Sequence, residues 1–370
     1  MILSDSEPGN FVLSGGERYS YFAGNNYLGL ANHPAVKEAA INSIKNFGTG
    51  FSASRQTTGT STLHLQLEMQ LSAFKEKEDS VIFASGYLGN RILLRALRDR
   101  YTAIFMDEYS HPSISDGIPH EMISLFRYNH LDTDHLETLL EQFKTAKPLI
   151  ITDGVFALTG EIAPLDKIYP VALRHNSLLV VDDAHSTGVL GKKGKGTPEY
   201  FNLDKTAGIY QSDTLSKALG SYGGFISADK DLIDLIRKES PVYRASTSLP
   251  PPVVAAGLES LKILTGSPEL RVRLLELAVI IRRELISMGF NTSQSKTQII
   301  PLIMPSVQAA SDLSAFLREN NIIVPVIDYP LLQKNSMLRI AVSAVHTINQ
   351  IDDLLEKLKK WKMHYGKAYN

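Results

Sequence analysis

The feature that most constrains this chain is an alternation. From Glu78 to Ala228, short runs of β-branched and aliphatic residues take turns with amphipathic helical stretches. Runs at 81–84, 103–106, 149–152, 178–181 and 208–211 are strand candidates. Segments such as 132–143, where Leu136, Leu139 and Leu140 recur at helical spacing behind an Asp-rich start, supply the crossovers. Helical crossovers join parallel strands, so the expected fold class is α/β, with a mostly parallel central sheet. A PPP punctuation after Leu249 leads into helical patterns at 253–264 and 269–288. The rest reads as strand 298–304, helix 309–320, strands 322–326 and 337–342, and helix 349–361, an α+β pattern. The expected organisation is an N-terminal segment (1–35), a large α/β domain (36–262) and a small C-terminal α+β domain (263–370).

Bulk properties exclude several classes of function. A formal net charge of −1, with both signs interspersed, leaves no electrostatic footprint for nucleic acid or an anionic membrane. The absence of Cys removes disulfides, thiolate metal sites and thiol nucleophiles and fits a reducing compartment. The N-terminus has no basic region followed by an apolar one, and no run reaches membrane-spanning length, so the expectation is a cytoplasmic protein without membrane insertion.

In a parallel sheet, ligands sit beyond the carboxyl ends of the strands, so the residues that follow each apolar run carry the functional information. LLVV ends in Asp182, Asp183, Ala184 and His185. Asp182 could hold a pyridinium nitrogen protonated with His185 orienting it; the plainer alternative is a loop acid capping the next helix. SDTLSKALGSYGG sets Lys217 among small and hydroxyl residues after another strand, where a partly buried amine can become a Schiff-base nucleophile. Most lysines are surface charges, and only the company of Lys217 argues otherwise. Thr214 could donate to a phosphate, and SGYLGN opens a helix whose free amides, at Tyr87 and Leu88, could bind one. Alone, that glycine pattern is more often a turn. His111, in SHPSISDG, could stack on an aromatic ring or be merely structural.

These pieces, in this order, resemble the α-oxoamine synthase family of fold-type I pyridoxal-phosphate enzymes. The resemblance runs through NNYLGLANHP, SRQTTGTSTLHLQLE, SGYLGN, SHPSISDG, DGVFALTGEIAPL, VVDDAHSTGVLG, TLSKALGSYGG, STSLPP and LRIAVSAVHT. It implies pyridoxal 5′-phosphate as cofactor, carried as a Schiff base on Lys217. It further implies that Asp182 pairs with the pyridine nitrogen, His185 lies near the phenolate oxygen and His111 stacks on the ring, while Thr214 and the amides of Tyr87 and Leu88 bind phosphate. Lys217, His111, Asp182 and His185 are thus the implied catalytic set, and no metal is called for. The resemblance also implies a homodimer with shared active sites, in which Ser246 and Thr247 of STSLPP reach the phosphate held by the other subunit. Arg339 and Asn25 match the positions that bind the amino-acid carboxylate, a task suited to a bidentate guanidinium. For Arg339 the plainer alternative is a domain ion pair.

The implied reaction is condensation of a small amino acid with an acyl thioester of CoA or a carrier protein. Among the branches, SRQTTG favours 8-amino-7-oxononanoate synthase, which joins L-alanine to a pimeloyl thioester with loss of carbon dioxide in biotin synthesis. DGVF and YPLLQKNSMLRIAVSAVHT also resemble 2-amino-3-ketobutyrate CoA ligase, and a serine palmitoyltransferase-like acyltransferase is a further alternative. Departures are Ala157 where most relatives carry Ser, Phe51 in a less glycine-rich GTGFSASR, and a shorter stretch before NNYLGL. Two rivals lie outside the family's chemistry: an aminotransferase, and a non-catalytic regulatory subunit, which would be expected to lack its lysine.

Overall fold

The structure is a computed structural model in which residues 4–7, 9–119, 123–144, 147–327 and 336–365 are described. In chain order the strands are β1 (Phe11–Ser14), β2 (Glu17–Tyr21), β3 (Asp79–Phe83), β4 (Ala103–Asp107), β5 (Ser124–Tyr128), β6 (Pro148–Asp153), β7 (Leu178–Asp182), β8 (Ile209–Thr214), β9 (Gly224–Ala228), β10 (Ile299–Met304), β11 (Ile322–Ile323), β12 (Val326–Ile327) and β13 (Ser336–Ala341). The chain forms two compact units, one of residues 33–156 and 163–267, the other of residues 1–32, 157–162 and 268–370.

The larger unit is built on a seven-stranded sheet in the order β3-β9-β8-β7-β6-β4-β5. Strands β4 to β8 pair in parallel with one another, and β9 is antiparallel to both of its neighbours, β3 and β8. The side-chain period of two explains why these strands are apolar throughout. Ile104, Met106, Ile151 and Val180 enter one buried cluster. Ala103, Phe105, Ile150, Leu179 and Val181 enter another. Burial on both faces is the signature of a sheet sandwiched between helices, and truncating one such side chain to Ala typically costs about 2–5 kcal/mol. The helix expected at 132–143 spans Thr133–Gln142, with the Asp132 carboxylate accepting from the His135 N–H as its N-cap.

The smaller unit contains two three-stranded sheets, β1-β2-β11 and β10-β13-β12. The first joins the beginning of the chain to its last third, since β2 pairs in parallel with β11. The strand expected at 322–326 is instead two short strands, β11 and β12, in different sheets. Pro325 lies between them; it has no N–H for a ladder, and its carbonyl accepts from the Arg339 N–H at 3.1 Å. Helices Glu269–Ser287, Val307–Glu319 and Ile348–Tyr365 complete this unit. Residues 329–335 of YPLLQKNSMLRIAVSAVHT lie outside the described residues.

Candidate active site

Parallel pairing carries the carboxyl ends of β4, β6, β7 and β8 to one edge of the sheet, and the antiparallel pairs through β9 bring β3 to that edge as well. Lys217 sits there in a tight loop between β8 and β9. The loop is closed by Leu215 N–H donating to Gly223 O at 2.9 Å and Gly220 N–H to Lys217 O at 3.0 Å, and Gly223 adopts φ 116°, a conformation few other residues accept. Lys217 Nζ lies 2.7 Å from His185 Nε2. His185 is itself buried on the turn after β7, whose N–H groups at Ser186 and Thr187 donate to Asp183 O.

Asp182 ends β7, directly beside Asp153 of β6 in the sheet register. Its Oδ1 accepts from the Ala184 N–H at 3.1 Å and its Oδ2 from Asn90 Nδ2 at 2.6 Å. Asp153 is held well above the usual carboxylate range, first by burial and then by the neighbouring Asp182 carboxyl. Its Oδ2 accepts the backbone N–H of His111 at 2.9 Å. Of the two adjacent acids, one holds the His111 backbone and the other is braced by two N–H donors.

His111 caps the helix Pro112–Gly117, its Nδ1 accepting the Ser113 N–H at 3.2 Å. A nitrogen that accepts from a backbone amide carries no hydrogen, so the neutral ring bears its proton on Nε2. Burial lowers the His111 pKa below its ordinary value, as does the Lys217 charge, while Asp182 acts in the opposite sense. The Tyr87 ring meets the His111 ring edge-on, with centroids 6.0 Å apart, and its hydroxyl donates to the Asp116 carboxylate.

The turn after β3 is pressed against β8. A Cβ on Gly86 would lie 2.7 Å from Thr214 Oγ1, and one on Gly224 would lie 2.7 Å from Gly86 Cα, so only glycines allow this approach. Thr214 Oγ1 donates to Gly223 O at 2.9 Å and accepts from the Ser216 N–H at 3.1 Å. The Tyr87 N–H reaches Ser85 Oγ only at 3.3 Å, whereas the Leu88 N–H donates to Ser85 O at 3.0 Å. An anion bound here would take the Tyr87 amide in place of Ser85 Oγ and would turn the Thr214 hydroxyl away from Gly223. With an amine, a braced carboxylate and an imidazole on the same edge, these residues fit a flat, anionic aldehyde cofactor.

Ser246 and Thr247 lie in the same unit, at the end of the short helix Pro241–Ala245. Thr247 bridges to Ser54, and the Ser248 N–H donates to Ala53 O at 3.0 Å. His64 braces this loop from the helix Thr62–Lys75, its Nε2 lying 2.9 Å from Leu249 O.

The smaller unit holds a separate constellation. Arg339 of β13 is only 7% exposed. Its Nε donates to Ala157 O at 2.6 Å, and its Nη2 to Asn25 Oδ1 at 3.1 Å and to the Tyr27 hydroxyl oxygen at 3.3 Å. These acceptors are all neutral, so among the described residues this buried guanidinium faces no carboxylate. Burying a charge without a counter-ion is costly, and an arriving carboxylate would relieve that cost. Asn25 and Tyr27 are held by the end of β13: Ala344 N–H donates to Tyr27 O at 2.7 Å, and Ser343 Oγ to Asn26 O at 2.7 Å. His346 completes the bracket. Its Nδ1 accepts the Ser343 N–H at 2.9 Å, its Nε2 lies 3.0 Å from Tyr21 O, and its ring stacks on Phe22 at 4.1 Å.

The structure therefore brings Lys217, His185, Asp182 and His111 to one sheet edge with the Thr214 and Tyr87–Leu88 turns, and pairs Arg339 with Asn25 in the smaller unit. Sequence reasoning did not single out Asn90, Ser113, Asp153 or Tyr27. Asn90 and Tyr27 lie inside quoted motifs, yet an isolated amide or phenol gives no period or charge signal to mark it.

The sequence profile of the family described as Aminotransferase class I and II matches residues 20–358. The 8-amino-7-oxononanoate synthase of Thermoanaerobacter pseudethanolicus is 37% identical over 363 residues, covering 97% of this chain and 92% of that protein. A solved serine palmitoyltransferase from S. paucimobilis, with PLP and myriocin bound, superposes with a TM-score of 0.94 at 27% identity, covering 99% of this chain and 93% of that one. The 8-amino-7-oxononanoate synthase of Francisella tularensis superposes with a TM-score of 0.80 at 28% identity, covering 94% and 98%.

Proposed function

This chain belongs to the aminotransferase class I and II family, within it to the α-oxoamine synthases, and from that premise we propose that it is a pyridoxal-phosphate-dependent acyltransferase of the 8-amino-7-oxononanoate synthase type. It joins L-alanine to a pimeloyl thioester, releasing carbon dioxide and the thiol. What carries this reading is the retention of the amine of Lys217, the imidazole of His185 and the braced carboxylate of Asp182 in a chain that matches such synthases over nearly its full length.

Pyridoxal phosphate, when bound, supplies the aldehyde that captures the amino group and the ring that stores the electron pair left at Cα. The protein does the rest. Lys217 would hold the cofactor through its ε-amine and would serve as the general base that takes the α-proton of the amino acid, a role worth typically about 10²–10⁴ in rate. Asp182 would pair with the pyridine nitrogen and favour its protonated form, because a carboxylate beside an N–H favours the charged state. His185, within hydrogen-bond reach of Lys217, orients the amine and relays its proton. His111 offers an Nε2–H donor to the acyl oxygen on which negative charge develops. The Tyr87 and Leu88 amides and the Thr214 hydroxyl would hold the phosphate on exchanging their present partners for it, and Arg339 with Asn25 would hold the amino-acid carboxylate.

The same reading makes the working unit a cytoplasmic homodimer, with Ser246 and Thr247 completing the phosphate site of the other subunit. Among the described residues no helix is long and apolar enough to cross a membrane. A second reading, a serine palmitoyltransferase-like specificity, draws on the backbone match to that enzyme, 0.94 in TM-score against 0.80 for the Francisella synthase. Purified protein incubated with alanine, glycine and serine against a panel of short and long acyl thioesters, read by product mass, separates the two. A product of alanine with a pimeloyl thioester supports the proposal, a product of serine with a long chain supports the alternative, and the absence of any condensation product overturns both.

A further inference from the structure

We infer that Asn90 is the positioning residue that locks Asp182 and His111 into one rigid frame. This rests on reading those two groups as facing the cofactor. Asn90 sits in the first turn of the helix Gly89–Ala96 and is fully buried. Its single Nδ2 carries two hydrogens and uses both: one goes to Asp182 Oδ2 at 2.6 Å, the other to Ser113 Oγ at 3.0 Å. Ser113 Oγ in turn lies 2.8 Å from His111 Nδ1. Since Ser113 Oγ accepts from Asn90, its own hydrogen is free to donate to His111, whose Nδ1 already accepts the Ser113 N–H. The chain of donors runs one way, from Asn90 through Ser113 to the ring, and leaves the His111 proton on Nε2.

Chemistry fixes the orientation of the amide. Turned over, Asn90 would point its carbonyl at a carboxylate, acceptor against acceptor. As placed, Asn90 Oδ1 is buried without a hydrogen-bond partner among the described residues. An orphaned buried carbonyl costs stability, and an aliphatic side chain of similar volume would avoid that cost. A residue kept at a thermodynamic loss, between the two groups that need exact aim, serves the site rather than the fold. The demand on Asp182 is unusual: its register neighbour Asp153 is a second acid, and without Asn90 its Oδ2 would lose the side-chain donor that sits 2.6 Å away.

The test uses the full-length chain. Asn90→Asp keeps the shape but places a second carboxyl against Asp182, and two such groups share a proton at a raised pKa. The dissociation constant for pyridoxal phosphate, by absorbance titration from about pH 5 to 9, is expected to rise at least about tenfold at neutral pH and to recover as the new carboxyl protonates and becomes a donor. Ser113→Ala leaves the Asn90–Asp182 bond in place and is expected to weaken cofactor binding less than Asn90→Asp does, while lowering turnover about tenfold or more through His111. The inference is overturned if Asn90→Asp binds like wild type at every pH, or is weakened equally at every pH with a lowered Tm, as a packing role would produce. Should Asn90→Asp fail to fold, Ser113→Ala decides: unchanged turnover there overturns the inference. A wild-type chain that forms no absorbance band with pyridoxal phosphate would sink the proposed function itself.

Discussion

The ε-amino group of Lys217 and Nε2 of His185, 2.7 Å apart, are close enough to share one proton. That contact keeps an amine and a proton acceptor together at the end of β8, where the loop backbone is closed by its own hydrogen bonds. Lys217→Ala is expected to lower kcat by a factor on the order of 10³ or more, because nucleophile and general base are lost together. Asp182 and the turn at 85–88 should still retain the cofactor noncovalently. Single-turnover kinetics with absorbance detection checks both statements, and wild-type turnover in the variant would refute the role.

Arg339 makes three hydrogen bonds to neutral acceptors and meets no described carboxylate. Arg339→Ala should raise KM for the amino acid by about 10²-fold, roughly the 2–3 kcal/mol of a charge-assisted pair, with a smaller change in kcat. Arg339→Lys should recover only part, since a point charge cannot reproduce the fork. Steady-state kinetics with the thioester saturating makes the comparison; an unchanged KM would remove Arg339 from the carboxylate site.

His64 and His346 are both buried, and burial pushes each down to about 4 from 6.5. Each ring is neutral in the folded state and protonates more readily in the unfolded one, so the unfolded state binds more protons in this window and stability rises with pH. Stability is therefore expected to be fully present above about pH 6.5 and to be lost as pH falls toward 4, by up to about 1.4 kcal/mol per pH unit for each histidine. Denaturant unfolding at stepped pH measures the slope. Replacing His346 with Gln should flatten it, and an unaltered slope would assign the acid sensitivity elsewhere.

Lys75 Nζ donates to Asp213 Oδ1, Thr187 Oγ1 and Lys195 O, each at 2.8 Å, and both ends of the ion pair are buried. Lys75→Met leaves Asp213 without its counter-ion one residue before Thr214 and should destabilise the fold by about 3–5 kcal/mol. Adding Asp213→Asn should restore part of that loss. Thermal or denaturant unfolding reads both, and a single variant as stable as wild type would show that the pair contributes nothing.

The parallel sheet was legible because its strands are apolar on both faces: the runs at 103–106, 149–152 and 178–181 all fall within observed strands. The Lys217, Asp182, His185 and His111 positions were legible because they follow strand ends, where chain direction alone predicts a shared edge. Less visible were β5, whose SLFRY is partly exposed at the sheet edge, and the hairpin β1–β2, whose ERYSY lacks a continuous apolar run. Asn90 and Tyr27 escaped notice for a different reason. Their partners are Asp182 and Arg339, far away in sequence, and no local pattern encodes such a pairing.

Pairing between β2 and β11 sets a timetable for biosynthesis. Ser20 finds its sheet partner Ile322 only after roughly 300 further residues have left the ribosome, which at about 5–20 residues per second takes on the order of 15–60 s. For that interval the β2 edge of the opening hairpin lacks its strand partner, while the seven-stranded sheet, whose last strand ends at Ala228, can already have formed. The nascent chain thus carries an open strand through most of its synthesis, and its yield in a cell should depend on the holdase chaperones that meet it there.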